Sequence, residues 1–595
     1  MLSFPIVPEW WTESKKHMKL NFGFKPPDYI GGFDTETFRG NILTLQTGKI
    51  NYQNENYYDE QIRWVTIDNT LDTFLNYYSK YRGFIVLFGF NIVFDLPLVF
   101  RKLIDMFLND DFEVKYRDWN IKVFCTKNWF AVLQNSDTYI MLLDIRSFFQ
   151  KGSLEKVSRD LQLPIEKLPH PTGLGEKRFE KKDNIFTEYA LQDVRLTIGI
   201  GMKIVKMHEE LDIPMSTSFA NMSEKVFRRR FILDKERIQF PPFEAMRLAE
   251  LCYHGGKNGY YYQFPTRHKT IYEYDFNSAY PYAMYDLPSF INGKYVKINT
   301  LSDKFEGFYE VSGIIKPCKY GCLYDSSFSY FRNEDTRRIR CYIPSYELKE
   351  AIRSKEFKLD TIRGWVWQPN TNHNPLKEYT SYFWEKKQTT LKSDIHYLFY
   401  KLFLNSLYGK FIQRNPLNSE MVLRLKNSQF IMRDNDVIAG GLYNPFIGAL
   451  ITAHCRARLH TNEHLLDAID CSTDSIKSKI YDKNFEKDYL GRMRLETYDC
   501  KKCEKKYSKF TGIFVRNRLN LLLCKLGHVV KGAMHGFWGS KEDLLKMVEN
   551  RQVSYQVSRI PLIREGLRQE AKPLFQFFTE ERKINVDWSS YKEFK

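Results

Sequence analysis

Several things are scarce or missing in this chain of 595 residues, and most of them close off a class of protein. No uninterrupted apolar run is long enough to cross a bilayer, and the opening MLSFPIVPEWWTESKKHMKL lacks the charged start and long apolar core of a secretory signal. Neither a membrane-spanning nor an exported protein is expected. Cysteine is thin: ten are scattered with little regular spacing, which argues against a disulfide scaffold and for a reduced cell interior. No internal repeat and no low-complexity tail is visible. Acid also falls short of base, with 72 Asp plus Glu against 89 Lys plus Arg, a net charge of +17 and a pI near 9.1. Such an excess suits a polyanionic partner, although a merely soluble basic protein fits it as well. What is present is length, enough for roughly three to five domains.

The informative residues are carboxylates. GGFDTETF, from residue 31, reads as a strand with Asp34 and Glu36 two apart, hence on one face. Two acids on one face can share a metal, and alone they are as compatible with a solvated strand edge. GFIVLFGFNIVFDLPLVF carries an apolar strand (84–88) through Asn91 into Phe94 and Asp95, an acid that serves as a ligand or as a helix N-terminal carboxylate. Leu154, Val157 and Leu161 repeat at helical spacing after Ser153, which reads as an N-cap. Tyr189 and Asp193, four apart, share a helical face. Asp34, Glu36, Asp95 and Asp193 together suffice for two metals that activate water on a phosphodiester, with Tyr189 orienting it.

IYEYDFNSAYPYAMYDLP, 271–288, joins a strand, one carboxylate (Asp275) and a turn that Pro281 terminates. Asp470, Ser472 and Asp474 alternate onto one face of a hairpin in LDAIDCSTDSIKSKI, which makes Asp474 the natural partner of Asp275. Between them, a helix that runs to Gly409 places Lys401, Asn405 and Tyr408 at offsets of four and seven, on one face: a cation for a triphosphate and a ring for base and sugar. Lys387 is a second candidate cation, in competition with Lys386 and Lys392. In LCYHGGKNGYYYQFP, Gly255 and Gly256 permit backbone conformations other residues avoid, so that a phosphate chain can approach beside Tyr253 and Lys257; an ordinary glycine turn fits equally. Cys500 and Cys503 have zinc-like spacing, but no second pair lies nearby. Cys318 and Cys322 are the remaining candidates, and a structural zinc is not expected.

In order, Asp-x-Glu, Asn-x-x-Phe-Asp and Tyr-x-x-x-Asp resemble the three motifs of the DEDD-type proofreading exonucleases. DFNSAYP, KLFLNSLYGKF and CSTDS resemble motifs A, B and C of the family B DNA polymerases, with Tyr-x-Gly-Gly as the linker between the two activities. Length and two inserts resemble the protein-primed subgroup of phages and linear plasmids. The resemblance implies an α/β multi-domain fold: a ribonuclease-H-like exonuclease (1–213) and a right-hand polymerase with palm (214–289 and 446–538), fingers (373–412) and thumb (539–595). Of the two insertions, 290–372 is expected to grip a terminal protein and 413–445 to close around DNA. It also implies two Mg²⁺ per active site, with Mn²⁺ as substitute, held by Asp275 and Asp474 or by the exonuclease acids. Tyr280 is expected under the incoming sugar. Asn91, Phe94, Tyr253, Gly255, Gly256, Thr473, Arg518 and Lys531 are expected on DNA. Primer-template DNA, dNTPs and a terminal protein are the implied partners of a monomer in the cytoplasm of an infected or plasmid-bearing cell.

Two positions depart from the family pattern. Ser472 stands where motif C usually has its first acid, and Asp470 is expected to supply part of the missing charge. After motif C, Arg518 occupies the Lys position and Asn520 the Tyr position of a Lys-x-Tyr element, and an Arg grips phosphate differently from a Lys. A nucleic-acid-primed family B polymerase, or a nuclease or DNA-binding protein whose polymerase site has decayed, is the alternative.

Overall fold

The computed structural model describes residues 18–38, 41–55, 58–103, 113–125, 129–149, 152–169, 183–262, 264–323, 336–416, 423–426, 429–432, 437–485, 489–515, 519–534, 541–549, 554–559, 578–583 and 592–594. The chain divides into two compact units: residues 1–235, 385–442 and 560–577, and residues 236–384, 443–559 and 578–595.

The first unit is built on a mixed sheet of β1 (Tyr29–Phe38), β2 (Asn41–Asn51), β3 (Tyr58–Trp64), β4 (Gly83–Gly89), β5 (Glu113–Tyr116), β6 (Trp119–Cys125), β7 (Trp129–Gln134) and β8 (Thr138–Asp144). Their order is β3-β2-β1-β4-β8-β7-β6-β5, with β1, β4 and β8 parallel at the centre. Ile85, Val86, Leu87 and Phe88 are wholly buried, as expected of a central parallel strand covered on both faces. Helix α1 (Thr70–Tyr78) packs its Leu71, Phe74 and Tyr78 into the core of this sheet, and α2 (Ile92–Val99) follows β4 directly. The short α3 (Leu154–Asp160) is capped by Ser153, whose Oγ accepts from the Lys156 N–H at 3.2 Å; Leu154, Val157 and Leu161 are buried. The 27-residue α4 (Asn184–Glu210) crosses β1, and Gly32 is what lets it approach: a Cβ there would stand 2.8 Å from Ile198 and 3.0 Å from the Val194 carbonyl. Helix α5 (Phe219–Val226) completes this stretch.

In the second unit, α6 (Phe243–Leu251) precedes β9 (Lys257–Tyr260) and the long β10 (Thr266–Phe276). The chain turns at Ser278, in the left-handed region at φ +57°, into α7 (Ala279–Asp286). Pro281 therefore lies in the first turn of a helix and does not end the element as expected, because its missing N–H is one the first turn leaves unbonded anyway. Next comes a separate antiparallel sheet of β11 (Lys294–Ile298), β12 (Gly307–Ile315), β13 (Arg337–Pro344) and β14 (Phe357–Gln368), ordered β11-β14-β12-β13. With α8 (Ser345–Arg353) it encloses its own core around Tyr309, Val311, Ile343, Leu348 and Val366.

Helix α9 (Pro375–Thr389) contains the division between the units at Trp384. In the first unit, α10 (Ile395–Ser406), capped by Asp394, lays Phe399 and Phe403 against Phe219 of α5. It is followed by a 3-10 turn (Tyr408–Ile412) and by two short antiparallel pairs, β15 (Arg414–Pro416) with β18 (Val437–Ala439) and β16 (Leu423–Lys426) with β17 (Gln429–Met432).

Back in the second unit, α11 (Pro445–Leu465) is almost entirely buried, started by Asn444 as N-cap and Pro445 at the first helical position. Its interior holds two ion pairs. Arg456 meets Glu347 at 2.6 Å, both about 1% exposed, and Glu463 meets Lys257 at 2.5 Å. The remaining strands are β19 (Asp470–Thr473), β20 (Ser475–Ser478), β21 (Met493–Leu495), β22 (Tyr498–Cys500), β23 (Lys505–Tyr507), β24 (Phe510–Val515), β25 (Leu519–Leu523) and β26 (Val529–Met534). They build a nine-stranded sheet with β9 and β10 along the path β26-β25-β24-β10-β20-β19-β9; β21 and β29 (Lys592–Phe594) also pair with β10, and β22 and β23 form a hairpin apart. A last helix, α12 (Lys541–Glu549), and a hairpin of β27 (Ser554–Arg559) and β28 (Phe578–Lys583) lie in the region expected to be the thumb.

Candidate active sites

In the first unit, three elements bring four carboxylates together. β1 presents Asp34 and Glu36, the first turn of α2 presents Asp95, and α4 presents Asp193. Asp95 is thus both a first-turn helix acid and a member of the cluster, fixed by the Thr35 hydroxyl at 2.5 Å. Burial, with repulsion from neighbouring carboxylates, raises three of them: Asp34 goes well above the usual carboxylate range, and Glu36 and Asp95 are pushed up to about 7. Tyr189, one turn before Asp193, faces the same acids, and burial followed by their charge raises its phenol. Lys167 donates to Asp193, a cation within the acid cluster that no sequence pattern had marked.

Asn91 takes the left-handed conformation (φ +63°) and starts α2. Its N–H donates to Asp144 at 2.9 Å and its side-chain oxygen accepts from Arg146 at 2.8 Å, which fixes the turn that aims Asp95. Phe94 is partly buried on the same turn.

Lys387 lies on α9 and is partly buried. On α10, Lys401 and Asn405 are exposed, four apart on one face. Tyr408 is not on that helix, which ends at Ser406; the tyrosine opens the following 3-10 turn, so the expectation of one unbroken stripe to Gly409 is corrected. Glycine was the wrong stop signal, because the helix tightens into 3-10 geometry two residues earlier.

In the second unit, Asp275 and Asp474 come together. β10 pairs with β20 in the register Asp275↔Ser475, and the Phe276 N–H donates to the Asp474 carbonyl at 2.8 Å. Asp474 occupies the tight β19–β20 turn beside Thr473, which is left-handed at φ +56°. Asp275 is pushed up to about 7 by burial first, then by Asp474, Glu496 and Glu273. Asp474 is raised as well, chiefly by burial. A pair of hard oxygen donors that cannot comfortably both be charged alone fits a divalent hard cation.

Asp470 is held by an internal network. Its Oδ2 accepts from buried Lys477 at 2.9 Å and from Asn520, the residue in the Tyr position of Lys-x-Tyr, at 3.0 Å. Besides Asp474, the acids acting on Asp275 include Glu496, just after β21, and Glu273, two positions earlier on β10. Lys531 on β26 donates to Glu273 at 2.9 Å and to the Tyr498 hydroxyl at 2.7 Å while staying half exposed. A second cationic feature stands at the turn after β10: Arg458 lies over the rings of Phe276 and Tyr282, and with Tyr489, Leu490 and Arg492 it lines a cavity of about 350 Å³. Tyr280, on α7, is partly buried.

The two glycines work differently from expectation. Neither has a positive φ. A Cβ at Gly256 would stand 2.6 Å from the Thr473 methyl, so glycine is needed for close packing against the Asp474 turn, and Gly255 is exposed beside it. Tyr253 is partly buried. Lys257 is unavailable to phosphate: it is sealed between Glu463 and the Gly321 carbonyl. Arg518 lies outside the described residues.

Residues 171–443 match the family of type B DNA polymerases described as organellar and viral. A probable DNA polymerase of Agaricus bitorquis is 26% identical over 238 residues, 38% of this chain and 29% of that protein, so the chain spans under a third of that relative's length. Among solved structures, phi29 DNA polymerase with primer-template DNA and incoming nucleotide shares the fold at TM-score 0.68 and 16% identity, over 96% of this chain and 100% of that one. The same polymerase with single-stranded DNA matches at TM-score 0.65 and 15% identity, over 89% of this chain and 96% of the other.

Proposed function

We propose that this chain is a type B DNA polymerase of the organellar and viral kind, a DNA-directed DNA polymerase with a 3′–5′ exonuclease, started by a protein primer. The observation that carries the reading is the pairing of Asp275 with Asp474 from strands adjacent in the sheet and far apart in sequence. The two acids would hold Mg²⁺, or Mn²⁺ in its place, as a pair of ions that acidify the primer hydroxyl and neutralise the leaving pyrophosphate. Tyr280, five positions beyond Asp275, is the residue proposed to exclude a 2′-hydroxyl. Lys387, Lys401, Asn405 and Tyr408 are proposed to receive the triphosphate, base and sugar, and Tyr253, Gly255, Gly256, Thr473, Arg518 and Lys531 to line the DNA. In the exonuclease, Asp34, Glu36, Asp95 and Asp193 would hold the metals, Tyr189 would orient water, and Lys167 keeps Asp193 in place. Asn91 and Phe94 are proposed to contact the frayed strand.

Protein priming is supported by the likeness to phi29 DNA polymerase and by the separate β11–β14 sheet inserted between the two polymerase motifs. On the same resemblance we propose a monomer that works in the cytoplasm of the host cell. The test is extension of a DNA-primed template beside nucleotide transfer to a protein hydroxyl. Asp275→Ala and Asp474→Ala should each abolish extension and leave 3′ degradation intact, and Asp34→Ala with Asp193→Ala should do the reverse. Degradation without any extension by the unmodified chain would favour a decayed polymerase site.

A further inference from the structure

Four side chains outside both carboxylate sites converge on one point. Cys500 ends β22 and Cys503 sits in the turn after it, its N–H donating to the Cys500 carbonyl at 3.1 Å, with Glu504 left-handed at φ +52°. Cys524 follows β25; its N–H donates to the His528 carbonyl at 2.9 Å, and Gly527 makes the turn at φ +81°. Two tight turns thus face each other. Cys500 Sγ lies 3.2 Å from Cys503 Sγ, 3.8 Å from Cys524 Sγ and 3.8 Å from His528 Nδ1. Cys503 Sγ lies 3.6 Å from Cys524 Sγ and 3.1 Å from His528 Nδ1. All four donor atoms fall within 4.8 Å of one another.

We propose that Cys500, Cys503, Cys524 and His528 form a structural metal site for a zinc-class divalent cation. A tetrahedron with Zn–S of about 2.3 Å and Zn–N of about 2.0 Å has edges of about 3.8 Å between sulfurs and about 3.5 Å between sulfur and nitrogen; the observed sulfur–sulfur separations reach up to the first and the sulfur–nitrogen separations bracket the second. Three thiolates with one imidazole suit zinc, whereas Mg²⁺ and Ca²⁺ take oxygen donors. A disulfide is the competing use of Cys500 and Cys503, but their sulfurs are well beyond the bonded distance of about 2.05 Å. Complete ligation leaves no open position, as in structural rather than catalytic zinc sites. The site would tie the β22–β23 hairpin to the β25–β26 turn. Tyr498 precedes Cys500 by two residues and Lys531 follows His528 by three, and both reach Glu273. The proposal does not depend on the polymerase reading.

The test is metal analysis of the full-length chain purified without added metal or chelator. One zinc per chain is expected, together with thiolate-to-metal absorption after Co²⁺ replacement and chelator-dependent alkylation of the three cysteines. Cys500→Ser and His528→Ala should each lower zinc to a small fraction of one per chain, while Cys318→Ser, outside the cluster, should retain it. Should a variant fail to fold, the Co²⁺ spectrum and the alkylation pattern of the unmodified chain still decide the matter. Zinc-free protein with no Co²⁺ thiolate band, or a Cys500–Cys503 disulfide in peptides from that preparation, would overturn the proposal.

Discussion

At the scale of single residues, the acids carry their own pH signature. Glu36, Asp95 and Asp275 are raised to about 7, so the folded state binds protons that an unfolded carboxylate releases near pH 4. The metal-free fold therefore loses stability as pH rises from about 4 to 7, and a bound cation, which competes with those protons, recovers it. Mg²⁺ should raise the melting temperature more at pH 7.5 than at pH 5.5, and an equal shift at both would contradict the coupling. Asp470→Asn belongs to the same scale. Because Asp470 is engaged by Lys477 and Asn520, the change should leave the metal dependence of extension as it was and destabilise the fold by about 3 kcal/mol, a loss read by denaturant titration, since buried Lys477 keeps only the longer contact to Glu273. Acids were legible in the sequence because their spacing on strand and helix is local. The partners of Asp470, Glu273 and Lys257 were not, since each lies on a strand or helix remote in sequence.

Among elements, the turn at Thr473 and Asp474 depends on its neighbour across the sheet. Gly256→Ala would drive a methyl to 2.6 Å from Thr473, an overpacking that costs about 1–3 kcal/mol and displaces the turn bearing Asp474. Extension should fall at least tenfold while 3′ degradation is unchanged; equal loss of both would mean general misfolding. Helix α11 offers a second case. Arg456→Ala leaves Glu347 charged and buried, so a loss of about 3–5 kcal/mol is expected by denaturant titration, less if both residues are replaced by apolar ones of similar size. Periodicity revealed α3, and β-propensity revealed β10, because one apolar face decides each. Pro281 and Gly409 misled because local punctuation residues act differently inside a first turn and before a 3-10 turn. The turn pairing Cys524 with His528 carries no signal until β25 and β26 place it against Cys500.

For the whole molecule, the net charge of +17 makes a prediction that does not rely on any one contact. If primer-template DNA is the partner, log affinity should fall linearly with log salt, by about 10³-fold or more between 50 and 200 mM for six to ten phosphates neutralised. A flat response in filter binding would exclude phosphate-dominated recognition. The resemblance to type B DNA polymerases was readable from the order of motifs, whereas the two-unit division was not, because residues 385–442 join the first unit through contacts such as Phe219 against Phe403.

The strand order has a consequence for the time course of synthesis on a ribosome. The sheet and helix that assemble Asp34, Glu36, Asp95 and Asp193 are finished by residue 210, but Asp275 waits for a neighbour 199 residues further along. At roughly 5–20 residues per second the delay is about 10–40 s. On the proposed function, a nascent chain is equipped to erase before it is equipped to write.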